Sequence, residues 1–206
     1  MPEKNETPLL SPKFALALQF ANQIHSMQVR KGLGAPYISH LMAVASLVLE
    51  FGGSENQAIA ALLHDAAEDC GGRKMLDTVG VMFGDEVANI VEACTDSFAE
   101  SPENKLEWRP RKEGYLSQLA DEPQEAKLVS CADKFHNLSN TLRDIQIEGV
   151  AAWKARMADS KNGQAEKQIW YYSGCLAALS KGWSDPILVC FANAVSQLNE
   201  LVGNEE

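Results

Sequence analysis

Apolar residues recur at three-to-four spacing along almost the whole chain, a period that builds helices and does not suit strands. Residues 14–24, Phe-Ala-Leu-Ala-Leu-Gln-Phe-Ala-Asn-Gln-Ile, show it first. Residues 40–51 repeat it, with Gly52-Gly53 as a stop and Ser54 as an N-cap ahead of residues 55–65. The same pattern predicts helices at 73–83, 84–95, 105–119, 165–179 and 186–201, and one with Pro123 in its first turn that runs to about Leu142. Residues 31–39, 96–103 and 159–163 break the helical pattern. No alternating apolar–polar run bounded by hairpin turns stands out. The expected architecture is all-α, a single bundle domain over residues 1–206 with about nine or ten helices. Its core spans roughly residues 13–145, and helices within 146–202 pack on it.

Composition narrows the function classes. A hydrophobic content of 46% supports a sizeable core in a chain of 206 residues. The net charge of -10 gives no basic face for nucleic-acid phosphates, so no nucleic-acid partner is expected. A small anionic ligand remains compatible if a metal ion and a few Lys or Arg residues reverse the local potential. No run of about eighteen apolar residues occurs, and the start is not a signal peptide, so a cytoplasmic protein with no membrane partner is expected. Five scattered cysteines, Cys70, Cys94, Cys131, Cys175 and Cys190, form no Cys-x-x-Cys pair and read as free thiols of a reducing compartment.

The chemistry centres on His64-Asp65. Imidazole and carboxylate together suit a divalent cation that keeps positions open for water and substrate. His40 and Asp133 are the further candidate ligands, arriving from separate predicted helices. On a helix, Glu68 and Asp69 lie three and four residues beyond Asp65 and share its face, where they can orient or deprotonate a water. Taken one at a time these residues have plainer readings: His40 as a helix cap, Asp65 as a surface charge, Asp133 in a salt bridge.

The order His…His-Asp…Asp resembles the HD superfamily of metal-dependent phosphohydrolases. Arg30-Lys31-Gly32 leading to Pro36-Tyr37-Ile38-Ser39-His40 narrows the likeness. So do Leu62-Leu63-His64-Asp65-Ala66-Ala67-Glu68-Asp69, Phe83-Gly84 with Thr95-Asp96, and Asp133-Lys134-Phe135-His136-Asn137. These motifs resemble the hydrolase domain of the RelA/SpoT group and the stand-alone small alarmone hydrolases. The resemblance implies that His40, His64, Asp65 and Asp133 hold one divalent ion, most often manganese, and that Glu68 and Asp69 activate the attacking water. It implies that Arg30, Lys31 and Asn137 contact a guanine nucleotide, and Arg111-Lys112 resembles a further basic pair of the family. The implied reaction removes the 3′-pyrophosphate from guanosine tetra- or pentaphosphate to leave GDP or GTP.

Two departures from the family pattern stand out: Cys70 follows Glu68-Asp69 where the family commonly has Thr, and one extra residue lies between Arg30 and His40. Rival expectations are another HD substrate, such as a deoxynucleotide monophosphate or the 2′-phosphate of NADPH, and a nucleotide-sensing module without turnover. His25 and His136 read as core or supporting groups, and Trp153, Trp170, Tyr171 and Tyr172 as packing. An oligomer is compatible with the sequence but not readable from it.

Overall fold

The computed structural model describes residues 9–30, 34–98, 107–158 and 165–203. Among the described residues there are eleven helices and no strand, with a lone antiparallel bridge between Val29 and Pro36. No helix among them is long and apolar enough to cross a membrane. The all-α expectation holds. The chain divides into two compact units, Met1–Phe98 and Ala99–Glu206.

The first unit contains α1 (Pro12–Ile24), α2 (Ile38–Glu50), α3 (Glu55–Leu63), α4 (Ala66–Cys70), α5 (Gly72–Phe83) and α6 (Asp85–Cys94). Pro12 starts α1 where its missing N–H costs nothing, and the Ser11 hydroxyl caps Lys13 N–H at 3.2 Å. Ser54 and Gln57 form a reciprocal capping box that starts α3. Within α3 every residue from Ala58 to Leu63 is buried, and the helix packs against α1, α2 and α6. An N-terminus fixed by its cap and a body buried on all sides determine where the next two residues, His64 and Asp65, emerge. Gly71 (φ 138°) and Gly84 (φ 93°) turn the chain into α5 and α6 through backbone angles a side chain resists.

The second unit contains α7 (Trp108–Asp121), α8 (Gln124–Glu148), α9 (Val150–Ala158), α10 (Ala165–Leu179) and α11 (Pro186–Gly203). In α8 every residue from Ala126 to Lys134 is buried, after which Leu138, Leu142 and Ile145 continue the stripe toward α9, α10 and α11. Pro123 stands one residue outside α8 as its N-cap (ψ 153°), not in its first turn, and its carbonyl accepts from Ala126 and Lys127 N–H. Two helices exceed the sequence expectation. The predicted 55–65 helix ends at Leu63 as α3, a separate short helix α4 begins at Ala66, and α9 follows directly on Gly149, after α8 has run six residues beyond Leu142 to Glu148.

Between α7 and α8, Glu122 is 7% exposed, with Ser130 donating to its Oε2 at 3.1 Å. Burial pushes its carboxyl up to about 7, against the downward pull of that hydrogen bond and of Lys134 and Lys127. A raised carboxyl is more readily protonated folded than unfolded, so its contribution is fully present below about pH 4.5. It is lost as pH rises toward 7, by roughly 3 kcal/mol at most. Glu122→Gln is expected to flatten that part of the stability–pH curve, read by urea unfolding between pH 4.5 and 8; an unchanged slope contradicts the assignment.

Candidate metal centre

His64 and Asp65 occupy the break between α3 and α4: His64 closes α3 (φ -59°, ψ -29°) and Asp65 caps α4 (φ -94°, ψ -2°). As the N-cap of α4, Asp65 accepts a helical backbone bond from Asp69 N–H at 2.9 Å. Asp65 and Asp69 therefore keep the one-turn relationship that the sequence spacing predicts, although the helix is not continuous.

His40 lies in the first turn of α2 and is 1% exposed; His64 is 2% exposed. His64 Nε2 stands 3.0 Å from Asp65 Oδ2, and His40 Nε2 stands 3.8 Å from the same oxygen. One donor atom from each of His40, His64 and Asp65 falls within 4.8 Å of the other two. Bonds of about 2.0–2.2 Å from one cation to imidazole nitrogen and carboxylate oxygen match such a cluster. The His64 tautomer fits as well. Its Nδ1 lies 2.8 Å from the Ala61 carbonyl, which can only accept, so Nδ1 carries the proton and Nε2 presents its lone pair to the cluster. Donor set and tautomer thus fit a divalent ion.

The acidic pair follows on α4, Glu68 half-buried and Asp69 exposed. Asp69 Oδ2 accepts from Gln28 Nε2 at 2.7 Å, and Asp65 Oδ2 accepts from the Tyr37 hydroxyl at 2.6 Å. Sequence reading gave no role to Gln28 or Tyr37. Tyr37 lies in the family motif and three residues before His40, but its bond to Asp65 is a tertiary contact that no spacing rule reveals. Cys70 hydrogen-bonds the Ile24 carbonyl at 3.6 Å beside the His25 ring. Burial, then Asp69 and Asp65, pushes its thiol up to about 11, so it stays protonated and unreactive near neutral pH.

Arg30 lies at the Val29–Pro36 bridge, its guanidinium 5.8 Å from the Tyr37 ring centre, while Lys31 lies outside the described residues.

In the second unit, Asp133 is 6% exposed on α8, and both its oxygens are engaged along that helix. Asn137 Nδ2 donates to Oδ1 at 2.6 Å, and Lys134 Nζ stands 2.5 Å from Oδ2. Burial alone lowers the Lys134 ammonium pKa, but the Asp133 carboxylate outweighs it and holds Lys134 well above its usual value. Lys134 was missed in the sequence because adjacent helical residues diverge unless both are buried on a wide apolar face. Arg111 and Lys112 are half-buried on α7, with Lys112 Nζ 4.7 Å from the Tyr171 ring centre. Trp153, Tyr171 and Tyr172 are buried packing residues, as expected.

A family model described as HD domain matches residues 17–157. The guanosine-3′,5′-bis(diphosphate) 3′-pyrophosphohydrolase MESH1 of Mus musculus is 38% identical over 174 residues, covering 77% of this chain and 93% of that protein. A probable GTP pyrophosphokinase of Mycobacterium leprae is 34% identical over 140 residues, 68% of this chain. The chain spans only 17% of that protein, and a similarly small share of a long relative from Synechocystis. A solved structure of a metazoan ortholog of SpoT that hydrolyzes ppGpp matches with a TM-score of 0.71 at 26% identity. That match covers 93% of this chain and 98% of that one.

Proposed function

The chain belongs to the HD domain family, and from that premise we propose that it removes the 3′-pyrophosphate from guanosine tetra- and pentaphosphate, ppGpp and pppGpp, leaving GDP or GTP. The observation that carries the proposal is the convergence of His40, His64 and Asp65 donor atoms within 4.8 Å, one turn from a carboxylate at Asp69. MESH1 and the SpoT ortholog, named for this reaction, support the choice of substrate.

His40, His64, Asp65 and Asp133 are the proposed ligands of one divalent ion, manganese in the preferred reading. When bound, such an ion neutralises phosphate charge and lowers the pKa of a coordinated water from about 15.7 toward 7. Water oxygen bonds to the phosphorus attached at O3′, the O3′–P bond breaks, and O3′ takes a proton as pyrophosphate leaves. Glu68 and Asp69 orient that water and accept its proton at a carboxylate oxygen. Asn137 holds the Asp133 carboxylate through Oδ1. Arg30, Lys31, Asn137, Arg111 and Lys112 are the proposed nucleotide contacts; the four basic residues bring positive charge to an anionic substrate in a chain of net charge -10, and Asn137 offers a neutral amide. The two compact units are read as one HD domain, a reading supported by a family match that runs through both. A cytoplasmic setting accords with free cysteines and a nucleotide substrate.

Incubating the manganese-loaded chain with ppGpp, dGMP and NADPH in parallel tests the substrate. Release of pyrophosphate from ppGpp, with kcat/KM at least about 100-fold above any phosphate release from the others, is expected. Preference for dGMP or NADPH overturns the alarmone assignment and keeps the HD chemistry.

A further inference from the structure

Between α1 and α2, Gln28 and Tyr37 each bond one carboxylate of the proposed site, Asp69 and Asp65 respectively. Gln28 N–H donates to the His25 carbonyl at 2.9 Å, and Tyr37 N–H donates to the Gln28 carbonyl at 3.0 Å. The Val29–Pro36 bridge and the bond from Arg30 N–H to the Ala35 carbonyl, 2.8 Å, close the turn. Gln28 and Tyr37 are thus held side by side by backbone bonds.

Their side chains point to different partners. A carboxylate accepts only, so the Gln28 amide nitrogen is the group facing Asp69 Oδ2, and its Oε1 faces His25. His25 Nδ1 lies 2.6 Å from that Oε1 and donates to it. The His25 ring is 2% exposed and stacks on Tyr37, centroids 5.2 Å apart at 26°. Tyr37 meets the His40 ring edge-on at 5.7 Å and gives its hydroxyl proton to Asp65 Oδ2 at 2.6 Å. A continuous path runs from Asp69 through Gln28, His25 and Tyr37 to Asp65 and His40. Each member restricts the next: the amide by two opposed hydrogen bonds, the imidazole by burial and stacking, the phenol by a ring on each side.

We propose that Tyr37 and Gln28 are positioning residues of the hydrolytic site, Tyr37 orienting the metal-ligating carboxylate of Asp65 and Gln28 orienting the water-activating carboxylate of Asp69. The inference rests on the assignment of Asp65 as a ligand and Asp69 as part of the acidic pair. The two carboxylates come from one turn of backbone, but one serves the ion and the other serves the proton. The frame therefore separates two effects that a general loss of structure would merge.

The test measures manganese affinity by calorimetry on metal-stripped protein, kcat and KM on ppGpp, and thermal unfolding without metal, for wild type, Tyr37→Phe and Gln28→Met. Tyr37→Phe keeps the stack and loses only the hydroxyl. It is expected to weaken manganese binding about 10-fold or more with metal-free unfolding unchanged. Gln28→Met is expected to keep manganese affinity and KM within about twofold while kcat falls about 10-fold or more. Gln28→Glu keeps the acceptor for His25 and sets a like charge against Asp69, so it is expected to lower kcat at least as far. Wild-type affinity in Tyr37→Phe, or wild-type kcat in Gln28→Met, beside a wild-type chain that binds manganese and turns over, overturns this inference alone. A wild-type chain that binds no divalent ion overturns the underlying assignment and this inference with it.

Discussion

Asp65→Asn is expected to leave metal-free thermal unfolding close to wild type and to reduce ppGpp turnover by on the order of a thousandfold or more. The exchange is nearly isosteric, and Asn still offers an oxygen to the Tyr37 hydroxyl. What it loses is the negative charge beside two imidazoles, with His64 Nε2 3.0 Å away. A neutral amide oxygen is a weaker donor to a divalent cation than a carboxylate oxygen. Manganese affinity should fall with turnover. Full activity in this variant would remove Asp65 from the ligand set. Asp133→Asn is a less clean companion. Lys134 stands 2.5 Å from Asp133 with side-chain exposures of 11% and 8%, so removing that charge strands a buried ammonium. Destabilisation of a few kcal/mol is then expected whatever the role of Asp133 in the ion site.

Glu68→Gln is expected to separate binding from chemistry. Glu68 sits in the first turn of α4, three residues beyond Asp65, and is half-buried. An amide can still orient a water by hydrogen bonding but has no basic oxygen to take its proton. The expected result is manganese affinity within about twofold of wild type and kcat lowered by roughly 10²–10⁴-fold. Parallel loss of metal affinity would instead make Glu68 a ligand.

How much of this could be read in the sequence depended on whether a feature is periodic or tertiary. The longer helices of the first unit follow from apolar spacing and from the stop at Gly52-Gly53, because burial selects that spacing directly. The restart of the chain as a separate helix at Ala66 carries no such signal. Leu62, Leu63, Ala66 and Ala67 are all buried, so the apolar pattern continues across a break that contains neither Gly nor Pro. The Asp65–Asp69 relation stayed legible because Asp65 is the N-cap of α4 and accepts a helical bond from Asp69. α9 was hidden for another reason: it is short, and Trp153 is its only buried residue, leaving almost no stripe to detect. At the site, His40, His64 and Asp65 were legible as chemistry-bearing types in a known order. Tyr37 and Gln28 were not, because their partners lie 28 and 41 residues away and depend on how the turn before α2 closes. Lys134 next to Asp133 reads as an ordinary charged pair until α8 is seen to be buried through that point.

The most direct test of the central claim is turnover of ppGpp by metal-stripped protein before and after manganese is restored, with products resolved by anion-exchange chromatography. The account predicts no product without metal, then GDP and pyrophosphate in equal amounts once manganese is present. Equal turnover with and without the ion, or intact ppGpp in its presence, would contradict it.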